Sequence, residues 1–225
     1  MPDTLFIEAC PLEFGRLADR MDDVVFNIGA FQIGIAAVIN AGDFSYYDPE
    51  LAKQYWNAGV AELGYVPELT MLTAEGTDFD DMATFLQDCF RKVLGVEVTI
   101  NKMTQKARNE IMKYETYDFA LNAWGADYDD AMTWLELWTN NSNGYRGNYG
   151  TPEYIAMIED ARSETDVAVR LDKLVAIEKK LIEEDCVVTG IYDRGYSYLQ
   201  RPYVDMYIVH PVGQSAEFKW TSLNK

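Results

Sequence analysis

The chain is poor in the residues that build metal and redox sites. Its 225 residues include three cysteines, Cys10, Cys89 and Cys186, and a single histidine, His210. The cysteines are widely spaced and form no C-x-x-C, so the pattern points away from a zinc site and from a disulfide-dependent scaffold. His210 precedes Pro211 with no serine or cysteine partner in view, and a structural histidine is expected. Cationic side chains are also scarce. Nineteen Lys and Arg against 37 Asp and Glu leave a net charge of −18. That balance argues against nucleic acid and anionic membrane as partners, and it is compatible with a cationic ligand. Long apolar runs are missing too. The longest, Ile28 to Ile39, is broken by Gly29, Gln32 and Gly34, well short of the roughly 20 residues of a membrane span. No Gly-rich phosphate loop, nucleophile elbow, internal repeat or low-complexity segment occurs. No secretory leader is visible before Cys10, which therefore lacks the setting of a lipid-attachment site. The expectation is that a signal segment was removed or that the chain is part of a longer protein.

What is present suits an ordinary globular core: 48% hydrophobic and 25% charged residues, enough for one large domain or two small ones. Residues 12–30 carry a helical pattern through Leu12, Leu17, Met21 and Val24–Val25. Asp48 and Pro49 read as the cap and first residue of a helix that Gly64 can end. Glu68 to Leu72 reads as a strand. Asp78 is expected to cap a helix whose apolar stripe is Phe79, Met82, Phe85, Leu86, Cys89, Phe90 and Val93, with Cys89 buried. Leu94–Gly95 ends it, Val96 to Ile100 forms the next strand, and a short helix spans Lys106 to Tyr114. Strand, helix, strand, helix and strand in succession predict a mainly parallel sheet covered by helices. Further helices are expected near Ala131–Trp138, from Thr151-Pro152-Glu153 to Glu164 and over Val167–Glu184, with late strands at Val187–Tyr198 and Val204–Val209.

The most informative run is Tyr117-Asp118-Phe119-Ala120-Leu121-Asn122-Ala123-Trp124-Gly125-Ala126-Asp127-Tyr128. Tyr117, Phe119 and Leu121 alternate with smaller or polar residues, the period of a half-buried strand. The strand ends in an aromatic plate, two small residues and an acid. Open α/β sheets bind ligands at the carboxyl ends of their strands, so this end suits a ligand with an apolar body and a positive charge. Asp129 and Asp130 extend the acidic cluster. It lacks the spacing of a calcium loop, and a solvated helix start accounts for these two better. A glycosidase would need two carboxylates about 5–10 Å apart across a cleft, and the sequence singles out no such pair. Trp56, Trp134 and Trp138 sit at helical spacing and are expected to pack in the core. Trp124 has the best case for a ligand role.

Several segments together resemble the oligopeptide/dipeptide-binding proteins of ABC importers (the bacterial extracellular solute-binding proteins, family 5). They are Tyr47-Asp48-Pro49-Glu50-Leu51-Ala52-Lys53 through Gly64, Leu94-Gly95-Val96-Glu97-Val98, and Tyr117-Asp118-Phe119 through Trp124-Gly125-Ala126-Asp127-Tyr128. Asn148-Tyr149-Gly150-Thr151-Pro152-Glu153-Tyr154 with Ile158, Arg170 through Glu178 to Asp185, and, more weakly, Leu17-Ala18-Asp19-Arg20 complete the set. Their order makes the resemblance specific over residues 12–225, and it is to the carboxyl-terminal half of those proteins.

The resemblance implies one lobe of a type II periplasmic-binding-protein-like α/β fold, with a mixed, mainly parallel sheet flanked by helices. Residues 1–186 would form the ligand-binding lobe. Residues 187–225 would be a return segment that packs on, or bridges to, an amino-terminal lobe not included here. It further implies an extracytoplasmic, non-enzymatic receptor, periplasmic or lipid-anchored at the cell surface, that passes oligopeptides to the transmembrane permease subunits, with no cofactor, metal or nucleic acid. Asp127 matches the acid that takes the peptide ammonium. Trp124, Gly125, Ala126, Tyr128, Tyr145 and Tyr149 are the other expected ligand-binding residues. Gln105 and Met112 stand where several peptide binders carry an aromatic and an arginine, and the Val187–Tyr192 stretch lacks the prolines frequent there. The alternative is an oligosaccharide receptor stacking sugar on Trp124, Tyr128, Tyr145 and Tyr149. An enzyme acting on peptides or sugars is the reading from another class.

Overall fold

The computed structural model describes residues 4–9, 44, 47–114, 117–139, 149–193, 200–210 and 216–224. The helical pattern at 12–30, Cys10 and Tyr145 lie outside the described residues. The first described element is β1 (Thr4–Ala9), a strand the sequence reading did not anticipate. Helix α1 (Pro49–Leu63) starts where expected. The Asp48 carboxylate accepts the Glu50 and Leu51 amides, Pro49 takes the first position, and Gly64 closes the helix in the left-handed region at φ 77°. Then follow β2 (Leu69–Ala74), α2 (Thr77–Leu94), β3 (Val98–Met103), α3 (Gln105–Tyr114) and β4 (Phe119–Trp124). Asp78 is not the cap of α2. The chain enters that helix two residues earlier, after Gly76, with no side-chain cap, and Asp78 and Asp80 sit in its first turn beside the positive end of the dipole.

These strands form one five-stranded sheet in the order β3-β2-β4-β1-β5, where β5 is Val188–Asp193. β2 runs parallel to β3 and β4, and β1 runs antiparallel to both β4 and β5. Four of the five strands therefore point the same way, and their carboxyl ends share one edge. Trp124, Thr4 and Asp193 stand side by side there across β4, β1 and β5.

Helices cover both faces of the sheet. On one, Trp56 from α1 and Ala83 and Leu86 from α2 pack with Met71, Val98, Phe119, Leu121 and Ile191. On the other, Met112 from α3 packs with Leu72, Tyr117 and Ala120. β4 is thus buried on both sides rather than half-buried: Phe119, Ala120, Leu121 and Asn122 are all buried, as befits a central strand between helical layers. Tyr117 sides with Ala120, not with Phe119 and Leu121. The chain is not yet extended at that point, and the Asp118 carboxylate accepts the Thr70 amide at 2.6 Å. The stripe on α2 is narrower than the sequence suggests. Phe85 is 43% exposed and Cys89 half-buried, while Ala83 and Leu86 make the contact.

A third cluster gathers the remaining helices. α4 (Met132–Leu135) runs into a 3-10 turn, Glu136–Trp138. α5 (Pro152–Ser163) is capped by Thr151, whose hydroxyl accepts the Tyr154 amide. α6 (Val167–Lys179) is capped by Asp166 and widens into a π turn over Lys180–Glu184. Trp134, Leu135, Trp138, Tyr154, Ile158, Ile177 and Leu181 form the centre of this cluster, and Trp124 and Ala126 pack against it. Trp56, Trp134 and Trp138 are core residues, as expected. The expected strand at Val204–Val209 is two short ones, β6 (Val204–Asp205) and β7 (Ile208–Val209), separated by Met206 at φ 57°. They pair antiparallel with β9 (Ser222–Leu223) and β8 (Ala216–Glu217) in two small ribbons. Among the described residues no helix is long and apolar enough to cross a membrane.

Candidate functional site

The end of β4 delivers Trp124, Gly125, Ala126, Asp127 and Tyr128 to the carboxyl edge of the sheet. Trp124 is half-buried against the helical cluster, while Asp127 and Tyr128 are exposed. The Asp127 amide donates to the Thr133 hydroxyl at 3.1 Å. Thr133 is only 2% exposed, so this anchor lies beneath the surface carboxylate. The Tyr128 hydroxyl donates to Glu136 at 2.5 Å, and Glu136 in turn receives Arg162 at 2.9 Å. Burial and the adjoining Glu136 carboxylate raise the Tyr128 phenol above its ordinary range, so it stays a neutral donor.

Asp130 does not act with Asp127. Its carboxylate caps the Met132 amide at 2.8 Å and forms a two-bond pair with Arg170 at 2.8 and 2.9 Å. Burial pushes its pKa up, but the Arg170 bonds and the Met132 amide outweigh this and hold it below the usual aspartate value. The helix-start reading of Asp130 therefore stands in a more specific form. Asp129 is exposed, and among the described residues no group of three His, Cys, Asp or Glu could hold a metal ion.

Tyr149 is not brought to this surface. It is 5% exposed, stacks edge-on with Tyr154 at 5.0 Å and donates its hydroxyl to Asp185. It supports the cluster under Trp124 and Ala126 as a core residue, because its ring completes the packing between α5 and the π turn. Of the two positions singled out before β4, Gln105 opens α3 at the surface and Met112 is fully buried.

The sequence reading missed two features. One is the Thr133–Asp130–Arg170 network, whose only local signal is an acid two residues before a helix; its partner lies 40 residues on. The other is Arg108, 1% exposed on α3. Its guanidinium donates to the Leu121 carbonyl at 2.9 Å and the Asn122 side chain at 2.7 Å and lies over the Phe79 ring. Nothing in a lysine- and arginine-bearing helix marks one cation for burial.

The chain is 26% identical over 185 residues to the dipeptide-binding protein DppE of Bacillus subtilis, covering 81% of this chain and 34% of that protein. It is also 26% identical over 182 residues to a dipeptide-binding protein of Lactococcus lactis, covering 79% and 33%. Among solved structures, the substrate-binding domain of an oligopeptide ABC transporter from Bacillus anthracis superposes with a TM-score of 0.82 at 20% identity, covering all of this chain and 50% of that one. Listeria monocytogenes OppA bound to peptide gives 0.73 at 23%, covering 99% and 49%. At these identities the superpositions speak for the fold: α/β, as in peptide-binding proteins. The chain spans about a third of the length of the curated relatives it matches and about half of these structures. The profile of the bacterial extracellular solute-binding proteins, family 5 Middle, matches residues 29–146, just over half of the sequence, and the chain belongs to that family.

Proposed function

We propose that this chain is the ligand-binding lobe of an extracytoplasmic receptor that captures oligopeptides and passes them to the permease of an ABC importer, without chemistry of its own. The observation that carries the reading is Asp127, an exposed carboxylate beside Trp124 at the carboxyl end of β4, in a chain whose relatives are named for binding dipeptides and oligopeptides. A peptide ammonium meets the Asp127 carboxylate, and the indole of Trp124 walls the neighbouring space together with Gly125, Ala126 and Tyr128. Closure of a second lobe then removes water from the pair and makes it strong. The burial of Tyr149 in the core removes one of the four stacking platforms of the sugar-receptor alternative and one of the seven residues expected for the peptide site.

In this reading the lobe proper runs past the boundary expected at 186, because β5 pairs with β1 in its sheet and Ile191 is buried in its core. The return segment toward the amino-terminal lobe is the part beyond β5, and the exposed Tyr203, Met206, Phe218, Trp220 and Leu223 support that role, since apolar groups on short ribbons mark a surface that another body covers. The full protein would work outside the cytoplasm, in the periplasm or lipid-anchored. The test is calorimetry on a two-lobed form, with the chain joined to the amino-terminal portion that longer relatives carry. Asp127→Asn should weaken binding by about 3–5 kcal/mol, the usual effect of removing one partner of an enclosed charge pair. N-acetylated peptides should show a similar loss with the unaltered protein. Unchanged affinity in either arm would refute the assignment.

A further inference from the structure

We propose that Thr133 is the positioning residue of the Asp127 site, and that the Asp130–Arg170 pair holds Thr133 in place. The inference rests on the reading of Asp127 as the carboxylate that meets a ligand ammonium. Asp127 is exposed on a loop three residues beyond β4, yet its backbone is tied downward: its amide donates to the Thr133 hydroxyl at 3.1 Å. That hydroxyl belongs to a side chain 2% exposed, so water competes poorly for the bond. Thr133 is itself set by the turn before α4, where its amide donates to the Asp130 carbonyl at 3.2 Å. Asp130 fixes that turn in two directions. Its carboxylate accepts the Met132 amide at 2.8 Å, and Arg170 from the first turn of α6 grips both carboxylate oxygens. A path of bonded groups thus runs from α6 through Asp130 and Thr133 to the Asp127 backbone. Through it, a helix placed 40 residues later in the chain fixes the backbone from which a surface carboxylate projects. A carboxylate whose backbone is held in place before the ligand arrives has less freedom left to lose on binding. The pairing also removes Asp130 as a rival acceptor to Asp127.

The experiment has two arms. In the first, amide hydrogen exchange is followed by NMR in this chain with Thr133→Val, Thr133→Ser and Arg170→Lys. Thr133→Val should speed exchange of the Asp127 amide by about fivefold or more, the worth of one lost hydrogen bond. Leu121 and Ile158 in the core should be unaffected. Serine should restore protection, and Arg170→Lys should give a partial loss at Asp127. Exchange at Asp127 that stays unchanged in Thr133→Val, or that rises only in step with Leu121 and Ile158, overturns the proposal. Unchanged exchange in Arg170→Lys removes the Asp130–Arg170 pair from it. In the second arm, the two-lobed form is titrated with trialanine and N-acetyl-trialanine. Thr133→Val should shrink the affinity ratio between them, and Thr133→Ser should keep it. If Asp127→Asn collapses the ratio and Thr133→Val leaves it intact, the positioning role fails while the ammonium reading stands. If Asp127→Asn leaves the ratio intact, the ammonium reading fails, and the exchange arm alone decides whether Thr133 holds the loop.

Discussion

At the scale of single residues, burial separates groups that look alike in sequence. Asp127 and Asp130 lie three apart, but one is exposed and the other is bound by Arg170 and a helix amide. Glu178 is the sharper case. It is 6% exposed on α6, and burial raises its carboxyl to about 7. A carboxyl whose folded pKa lies above its unfolded value binds protons more tightly in the native state. Stability then falls as pH rises from about 4.5 to 7. Glu178→Gln should be neutral near pH 4 and stabilise the fold by roughly 3 kcal/mol at pH 8, since each pKa unit is worth about 1.4 kcal/mol. Urea unfolding at the two pH values checks this, and equal effects at both would show that Glu178 is not held in apolar surroundings. Asp130 has the opposite sign. Its lowered pKa contributes stability above the ordinary aspartate range, and that contribution is lost on acidification.

At the scale of elements, α2 offers a direct contrast. Leu86 and Phe85 are neighbours on the expected apolar stripe, yet only Leu86 is buried against the sheet. Leu86→Ala should destabilise by about 2–5 kcal/mol through lost transfer energy and the cavity left behind. Phe85→Ser should stay within about 0.5 kcal/mol, as surface substitutions usually do. Thermal or urea unfolding of the pair tests the packing directly, and similar losses would contradict it. At the start of α1, Asp48→Ala should cost about 1 kcal/mol, because two amides lose their acceptor.

At the scale of the whole molecule, the two-lobed receptor we propose requires that this chain bind peptide poorly by itself. The ammonium pair is then screened by water and worth at most about 1 kcal/mol, too little against the several kcal/mol lost on association. NMR titration of this chain with a peptide mixture should show no saturation in the micromolar range; micromolar affinity would mean that one lobe suffices. The exposed Phe218, Trp220 and Leu223 should also promote self-association, which light scattering at high concentration would reveal as a mass above that of a monomer.

Local chemistry alone determined much of this protein. The Asp48–Pro49 and Thr151–Pro152 starts, the left-handed Gly64 and Gly95 stops and the β4 segment ending at Trp124 were legible because each is decided by a few adjacent residues. The place of the Trp124–Asp127 run at the end of β4 was legible for the same reason: it is contiguous. What crosses the chain was not. β1 pairs between β4 and β5 against the direction of the other strands, and a six-residue strand does not announce its partners. Tyr149 looked like a ligand platform and became core, since an aromatic ring reads the same in both settings until its neighbours are known. Arg170 and Arg108 carry ordinary surface-type side chains, and only the fold brings Asp130 to the first and the Leu121 carbonyl to the second. Sequence determines where many elements begin and end, because those choices are local. Tertiary structure decides which polar groups are buried and bonded, because that depends on residues tens of positions apart meeting in a water-poor interior.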